Sequence, residues 1–213
     1  MVTSLRTAVK NAVIDRLPGV LRRGPVTAKR VALTFDDGPD ELTPHYLEML
    51  DDLGVAATFF VSGMQAAKRP DLIREYLRRG HQVANHGYDH TRFTKLSRGK
   101  LLEQLARTEQ AIGGQITGRQ WARPPHGALD ATSLLAMRAA GYLVALWSVD
   151  SGDYDERDPA RLAERCSPAV VGAGDVLLFH EGQTWTLDAV PRIVTALHAS
   201  GLECVTMHDL FAR

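Results

Sequence analysis

The 213-residue chain has only two cysteines and no net charge, because 25 Lys and Arg residues balance 25 Asp and Glu residues. Cys166 and Cys204 lie far apart, so they do not form the disulfide framework of a small secreted domain, and buried free thiols are expected. The missing basic excess argues against a surface that follows nucleic-acid phosphates. We therefore expect no nucleic-acid partner.

Long apolar runs are also missing. No stretch approaches the roughly 18 apolar residues that a membrane-spanning helix requires, so we expect no transmembrane segment. The N-terminus lacks the continuous apolar run of a secretory signal, which favours a cytoplasmic protein. Leu5, Val9, Val13 and Leu17 recur at helical spacing among basic residues. Residues 1–29 are predicted to form an amphipathic helix or extension that either docks on the domain or makes a peripheral membrane contact.

From residue 30 to residue 213 the sequence predicts one catalytic domain of alternating strands and helices. Seven β-branched or apolar runs predict strands, at 31–35, 57–61, 81–85, 120–122, 142–147, 175–179 and 203–206. Amphipathic segments between them predict helices, at 43–53, 71–79, 97–112, 130–140 and 187–200. This alternation predicts a parallel sheet covered by helices, and seven units favour a closed or nearly closed α/β barrel. An open doubly wound sheet is the alternative, although the sequence has no Gly-rich dinucleotide turn.

Residues with reactive side chains follow the predicted strands. In α/β barrels the active site forms at the C-terminal ends of the strands. The residues found at those positions are Asp36, Asp37, His86, His90, Arg123, Asp150, Asp153 and His180. Their shared position at one end of the barrel predicts a single site.

His86 and His90 have the spacing of a metal-binding pair. Four positions apart on a helix or tight turn, two imidazoles can face the same ion. Such a pair alone is weak evidence, and Asp37 is the natural third ligand, because a catalytic zinc has three protein ligands and an open position. Two adjacent carboxylates, Asp36 and Asp37, also need a cation or partner when they end an apolar strand. A solvated Asp-Asp-Gly turn is the alternative interpretation.

His180 and Arg123 offer the remaining acid and base chemistry. His180 follows a buried strand, and either Asp150 or Asp153 is available to orient it and raise its pKa, as a general acid requires. A core histidine without a catalytic role is the alternative. Arg123 precedes two prolines, and it either pairs with Asp36 or forms a surface ion pair.

Together these motifs resemble the NodB-homology polysaccharide deacetylases, carbohydrate esterase family 4. The matching segments are TFDDGPD, NHGYDH, RPPHG, SVDSGDY and LLFHE, in the family's order, followed by a family-like C-terminal tail. The resemblance implies a distorted (β/α)7 barrel. It also implies roles for individual residues: Asp36 as base, Asp37, His86 and His90 as metal ligands, His180 as general acid, Asp153 as the acid that orients it, Arg123 as the residue that holds the base, and the His126 backbone N–H as an oxyanion donor.

Three positions depart from the family pattern. Gly87 stands where Ser or Thr is usual, His126 where an aromatic residue is usual, and Glu181 where Asp is common. No ligand or acid-base group is lost, so we expect the chemistry to persist. His126 is predicted to face the substrate, and the change there is expected to alter the pocket.

The resemblance implies a metal-dependent hydrolase that removes acetyl from an N-acetylated amino sugar in an oligosaccharide, a polysaccharide or a biosynthetic intermediate. The alternatives are a related C–N hydrolase acting on a formamide or cyclic amide, and a carbohydrate-binding module without activity. The ligand set favours Zn²⁺, with Co²⁺ or Ni²⁺ also suitable. Tyr154, Trp147 and Trp185 are predicted to stack on the sugar beside His126. The sequence does not indicate an oligomeric state.

Overall fold

The computed structural model describes residues 19–113 and 120–212, so the helix expected near the N-terminus lies outside the described residues. Nine strands are described: β1 (Val20–Leu21), β2 (Arg30–Asp36), β3 (Thr58–Val61), β4 (Gln82–Asn85), β5 (Trp121–Ala122), β6 (Leu143–Ala145), β7 (Val149–Asp150), β8 (Val176–His180) and β9 (Glu203–Val205). All their pairings are parallel, in the order β1-β6-β5-β4-β3-β2-β8-β7, and β9 joins β2. The predicted barrel-like α/β fold is confirmed, and the open doubly wound alternative is wrong.

Eight α-helices are described outside the sheet. They are α1 (Thr43–Leu53), α2 (Gly63–Lys68), α3 (Pro70–Arg78), α4 (Arg98–Ile112), α5 (Ala131–Ala139), α6 (Pro159–Arg165), α7 (Thr184–Ala199) and α8 (Met207–Phe211). The five predicted helices are present with small shifts at their ends, whereas α2, α6 and α8 were not predicted. Those three span one or two turns, and such short helices carry too little periodicity to be recognised. None of the described helices has the length and apolar character that a membrane span requires.

The alternation of side chains along the strands divides the core into two layers. Phe35, Phe59 and Phe179, on three neighbouring strands, stack with ring centroids 5.3–5.5 Å apart and pack beneath the helices. Residues on the opposite face, including Ala32 and Phe60, form a separate buried cluster inside the barrel. Asp36 shares the face of Ala32, since it lies an even number of positions along β2. Its carboxylate therefore points into the barrel.

The segment from Gly19 to Gly24 spans the distorted part of the barrel between β6 and β8. β1 pairs with β6, and two residues later Arg23 forms an antiparallel bridge with Asp175, immediately before β8. Arg22 Nε donates a hydrogen bond to the Trp147 carbonyl over 3.0 Å. This segment precedes residue 30, where the sequence analysis places the start of the catalytic domain, and β1 was not predicted because two residues show no periodicity.

Candidate active site

Strand register brings the predicted site residues together. In the parallel pairing of β2 with β8, Asp36 lies opposite His180, and both are the last residues of their strands. The pairing of β4 with β5 aligns Asn85 with Ala122, so the next residues, His86 and Arg123, are also neighbours. The predicted clustering at the C-terminal ends of the strands therefore follows directly from the parallel sheet.

Asp37, His86 and His90 direct their ligand atoms at one point. Asp37 Oδ1 lies 3.5 Å from His86 Nε2 and 3.1 Å from His90 Nε2. All three ligand atoms lie within 4.8 Å of one another, and no other His, Cys, Asp or Glu trio among the described residues meets that condition. Ligands held at about 2.1 Å from a tetrahedral ion are about 3.4 Å apart. The donor atoms therefore fit a divalent cation.

The His86 ring is already oriented for metal binding. Its Nδ1 lies 2.8 Å from the Arg123 carbonyl oxygen, so Nδ1 carries the proton that it donates, and Nε2 keeps a free lone pair. Burial lowers the pKa of His86 to about 3, which keeps the imidazole neutral. A neutral imidazole with a fixed tautomer is the form that a metal requires.

The loop from His86 to His90 takes its shape from left-handed backbone conformations. Gly87 has φ 77°, and a Cβ there would lie 3.0 Å from the Phe93 ring. This close approach and the positive φ both favour glycine at position 87. Asp37 and His90 also have positive φ, at 78° and 61°, which is uncommon for residues with side chains and typical of functional sites.

Asp36 is buried beside the trio and paired with Arg123. Arg123 Nη1 donates to Asp36 Oδ1 over 2.6 Å and to Thr34 Oγ1 over 3.0 Å. The second carboxylate oxygen, Oδ2, lies 3.6 Å from His86 Nε2. Burial raises the pKa of Asp36, and the charge of Arg123 opposes that rise. Asp36 therefore has one oxygen held by Arg123 and the other next to the trio of Asp37, His86 and His90.

His180 lies on the opposite side, held by Asp153. The His180 Nδ1 is 2.7 Å from Asp153 Oδ1, and the His180 backbone N–H donates to Asp153 Oδ2 over 2.8 Å. Burial lowers the pKa of His180, but the hydrogen bond with Asp153 and the nearby carboxylates outweigh it and raise the pKa to about 9. His180 is therefore protonated at neutral pH, as a general acid must be. Between the two predicted partners, the structure selects Asp153.

A cavity of about 450 Å³ opens beside the reactive residues. Its lining includes Asp37, His90 and His180 from the reactive cluster, and His126, Trp147 and Tyr154 from the predicted substrate-binding residues. The His126 ring lies 4.4 Å from the His90 ring between centroids. Tyr154 is 62% exposed and meets the His180 ring edge to face at 5.6 Å. This exposed aromatic ring lies beside His180, open to whatever enters the cavity.

Trp185 occupies a different position from the other predicted aromatic residues. It is half-buried, it packs against the core under the helices, and it is absent from the cavity lining. Its Nε1 donates to the Asp153 carbonyl oxygen over 2.7 Å. The structure thus places Trp185 behind Asp153, as a support for the residue that orients His180.

Several supporting residues were not identified from the sequence. Thr186 Oγ1 donates to Asp153 Oδ2 over 2.9 Å, and Thr34 bridges Arg123 and the Leu177 carbonyl. A threonine near an active-site acid has no distinctive spacing, so only the tertiary contact reveals its role.

The residues around Glu181 explain why a glutamate is found at this position. Its carboxyl is buried against the turn after β2, where a Cβ on residue 38 would overlap Glu181 Oε2, so only glycine fits there. Thr43 and Tyr76 each donate a hydrogen bond to it, over 2.7 Å and 2.8 Å. Burial raises the pKa of Glu181 to about 8. The longer side chain of Glu reaches both hydroxyls while filling the space beside Gly38.

Comparisons with known proteins identify relatives of the chain. The sequence model of the polysaccharide deacetylase family matches residues 23–145. The peptidoglycan-N-acetylglucosamine deacetylase PgdA of Listeria monocytogenes is 35% identical over 192 residues, which cover 88% of this chain and 40% of that protein. The chain thus spans less than half the length of that relative.

Two further relatives match over most of their own length. A chitooligosaccharide deacetylase of Sinorhizobium fredii is 32% identical, with 88% of this chain and 94% of that protein covered. A family 4 carbohydrate esterase from Streptomyces lividans, solved in complex with acetate, superposes with a TM-score of 0.77 at 36% identity, covering 82% of this chain and 91% of that chain.

Proposed function

Because the chain belongs to the polysaccharide deacetylase family, we propose that it is a metal-dependent hydrolase that removes the acetyl group from an N-acetylated amino sugar. Its substrate is an oligosaccharide, a polysaccharide or a biosynthetic intermediate, and its products are acetate and the free amine. One observation carries the proposal. The convergent Asp37, His86 and His90 lie beside a buried base, Asp36, and two of the three, Asp37 and His90, line one cavity with a protonated acid, His180.

Asp37, His86 and His90 would hold the cation. Two imidazoles and a carboxylate suit Zn²⁺, and Co²⁺ or Ni²⁺ accept the same ligands. When bound, a divalent ion supplies Lewis acidity to the acetamide carbonyl and lowers the pKa of a water molecule. The three protein ligands leave an open position for the reactants, as in catalytic zinc sites.

Asp36 is proposed to take the proton of the attacking water. Its Oδ2 lies beside the trio, and Arg123 fixes Oδ1, so the carboxylate presents one free oxygen toward the reacting centre. Burial raises its pKa, which strengthens it as a base. The backbone N–H of His126 is proposed to share the negative charge of the tetrahedral oxygen, a contribution of about 3 kcal/mol for one donor.

His180 is proposed to protonate the departing sugar amine. An amine anion is a poor leaving group, so C–N cleavage requires a proton at the nitrogen. Asp153 keeps the imidazole protonated and orients it through Nδ1, so that Nε2 is the atom that delivers the proton. Tyr154 and Trp147 on the cavity wall are proposed to contact the faces of the sugar rings.

The proposal is tested by acetate release from N-acetylglucosamine oligomers with metal-loaded protein. Asp36→Asn and His180→Ala are each expected to lower kcat by at least 100-fold, the usual contribution of a positioned acid or base. Asp188→Asn and His198→Ala, at exposed positions of α7, are matched controls that should retain activity. Wild-type turnover in either site variant would remove that residue's role. A formylated amino sugar and a cyclic ureide in the same assay separate deacetylation from the related C–N hydrolyses.

A further inference from the structure

Arg92 is the single residue of the cavity lining that carries a permanent positive charge. The other basic groups of the lining are the imidazoles of His90, His126 and His180, which belong to the reactive cluster or lie against it. Arg92 is exposed and lies two positions after the metal ligand His90. Arg92 therefore borders whatever occupies the cavity.

The guanidinium of Arg92 has no hydrogen-bond or ion-pair partner among the residues that the structure describes. Other arginines near the barrel mouth are engaged: Arg123 binds Asp36, and Arg165 donates to the Ser151 carbonyl. A guanidinium offers five donors in a planar fork that matches a carboxylate. The donors of Arg92 are available for an anion that enters the cavity.

The backbone that carries Arg92 is fixed. The Thr91 N–H donates to Asp89 Oδ1 over 3.0 Å, and Gln104 Nε2 donates to the other oxygen of Asp89 over 2.8 Å. Phe93, the next residue after Arg92, is fully buried. Arg92 thus projects from an anchored turn, so its backbone does not have to be ordered when the side chain binds a ligand.

Charge is distributed unevenly across the cavity. Arg92 lies close enough to His126 to depress the pKa of that imidazole, together with burial, which is the largest cause. On another part of the lining, Asp150 is close enough to feel the charge of His180 and to raise the pKa of Tyr154. Of the two acids in the lining, Asp37 belongs to the trio that would hold the cation and Asp150 lies near His180, so an anionic substituent is attracted toward Arg92 and repelled by Asp150.

We propose that Arg92 is a specificity-determining residue that selects acidic N-acetylated saccharides, in which a carboxylate lies within reach of the acetamide-bearing ring. The inference rests on the proposed deacetylase function and adds the substrate class. The carboxylate binds the guanidinium in the fork geometry at the His126 side of the cavity, while the acetamide faces the metal trio. Neutral oligomers bind without this contact.

The test compares substrates that differ only in charge. N-acetylglucosamine tetramers carrying a carboxymethyl ether at O3 or at O6 are assayed beside their methyl esters, with metal-loaded protein. Wild-type protein is expected to show a kcat/KM about tenfold higher for at least one carboxylate than for its ester, as a charge-assisted hydrogen bond provides. Arg92→Gln should abolish that preference, so that acid and ester have similar kcat/KM, and Arg92→Lys should restore only part of it. Comparison of the O3 and O6 ethers locates the carboxylate.

Lys95→Gln is the matched control, because it removes one exposed positive charge from the same loop outside the cavity lining. It should preserve the preference for the carboxylate. The inference is overturned if wild type does not discriminate between acid and ester, or if Arg92→Gln lowers both rates equally. Failure of the deacetylase proposal has a different signature, since wild-type protein would then release acetate from none of the substrates.

Discussion

Gln104 on α4 holds Asp89 within the loop that carries both candidate metal histidines. Its Nε2 donates to Asp89 Oδ2 over 2.8 Å, and its Oε1 accepts the backbone N–H groups of Tyr88 and Asp89 at 2.8 and 3.1 Å. The amide thus makes three hydrogen bonds to the three-residue segment between His86 and His90. A residue with these contacts would position the two candidate metal ligands without touching the ion.

Gln104→Leu is expected to weaken divalent-metal affinity by about 10-fold to 100-fold, the usual cost of losing an outer partner of a metal site. The physical reason is that the loop gains alternative conformations in which the two imidazoles do not converge. Metal dissociation constants measured by calorimetry or chelator competition test this without relying on turnover. Gln110→Leu, at an exposed position of the same helix, is the control. Equal metal affinities for Gln104→Leu and wild type would show that the loop does not need the hydrogen bonds of Gln104.

The hydrogen bond between His180 and Asp153 predicts the alkaline limit of activity. The general acid must be protonated, so activity is lost as pH rises through the His180 pKa, which Asp153 raises to about 9. Asp153→Asn removes the charge and should move this limb to lower pH by on the order of one unit or more. Thr186→Val removes only a hydrogen bond to Asp153 and keeps the carboxylate charge, so its alkaline limb should stay close to that of wild type. pH profiles of kcat/KM give the answer, and identical alkaline limbs in all three proteins would contradict the assignment.

Arg123 and Asp36 form an ion pair with almost no exposure to solvent, at 0% and 4% for the two side chains. Arg123→Leu leaves a buried carboxylate without its partner and should lower the free energy of unfolding by about 3–5 kcal/mol. Asp36→Asn combined with Arg123→Leu should recover part of that loss, because no uncompensated charge remains. Urea unfolding of the metal-free proteins measures both. If the double variant were as unstable as the single one, lost packing would explain the effect better than charge.

The buried His81 is expected to lower the free energy of unfolding in acid. The imidazole is 4% exposed, its Nδ1 accepts from the Ala57 N–H, and its Nε2 is without a partner among the described residues. Burial lowers its pKa from 6.5 to about 4. Between those values the unfolded chain binds more protons, so stability is complete above pH 6.5 and falls as pH decreases toward 4, by about 3 kcal/mol in all.

His81→Gln should remove this part of the pH dependence, because glutamine does not titrate. The measurement is urea unfolding of metal-free wild type and His81→Gln at pH 7 and pH 4.5. For each protein the free energy of unfolding at pH 4.5 is subtracted from that at pH 7, and the two differences are compared. A wild-type difference no larger than that of the variant would show that His81 is not protonated on unfolding.

The order of elements was readable from the sequence because local patterns encode it. Alternating and helical periodicity reflect which side chains are buried, and these identified seven of the nine described strands and five of the eight described helices. The missed elements, such as β1 and β7, are too short to show a period. The placement of Asp36, Asp37, His86, Arg123 and His180 at one end of the sheet also followed, because parallel strands bring their C-terminal ends together.

Tertiary structure decided how those residues act on one another. Arg123 and Asp36 are 87 residues apart in the chain, and their 2.6 Å contact depends on the register and curvature of the sheet. The assembled sheet also decides that Asp153 is the partner of His180 and that Trp185 supports Asp153. It likewise places Glu181 against Gly38. A sequence pattern reports whether a side chain is buried and on which face. Distances between side chains on different strands arise only when the sheet is assembled, which is why the partners and their pKa values emerged from the fold.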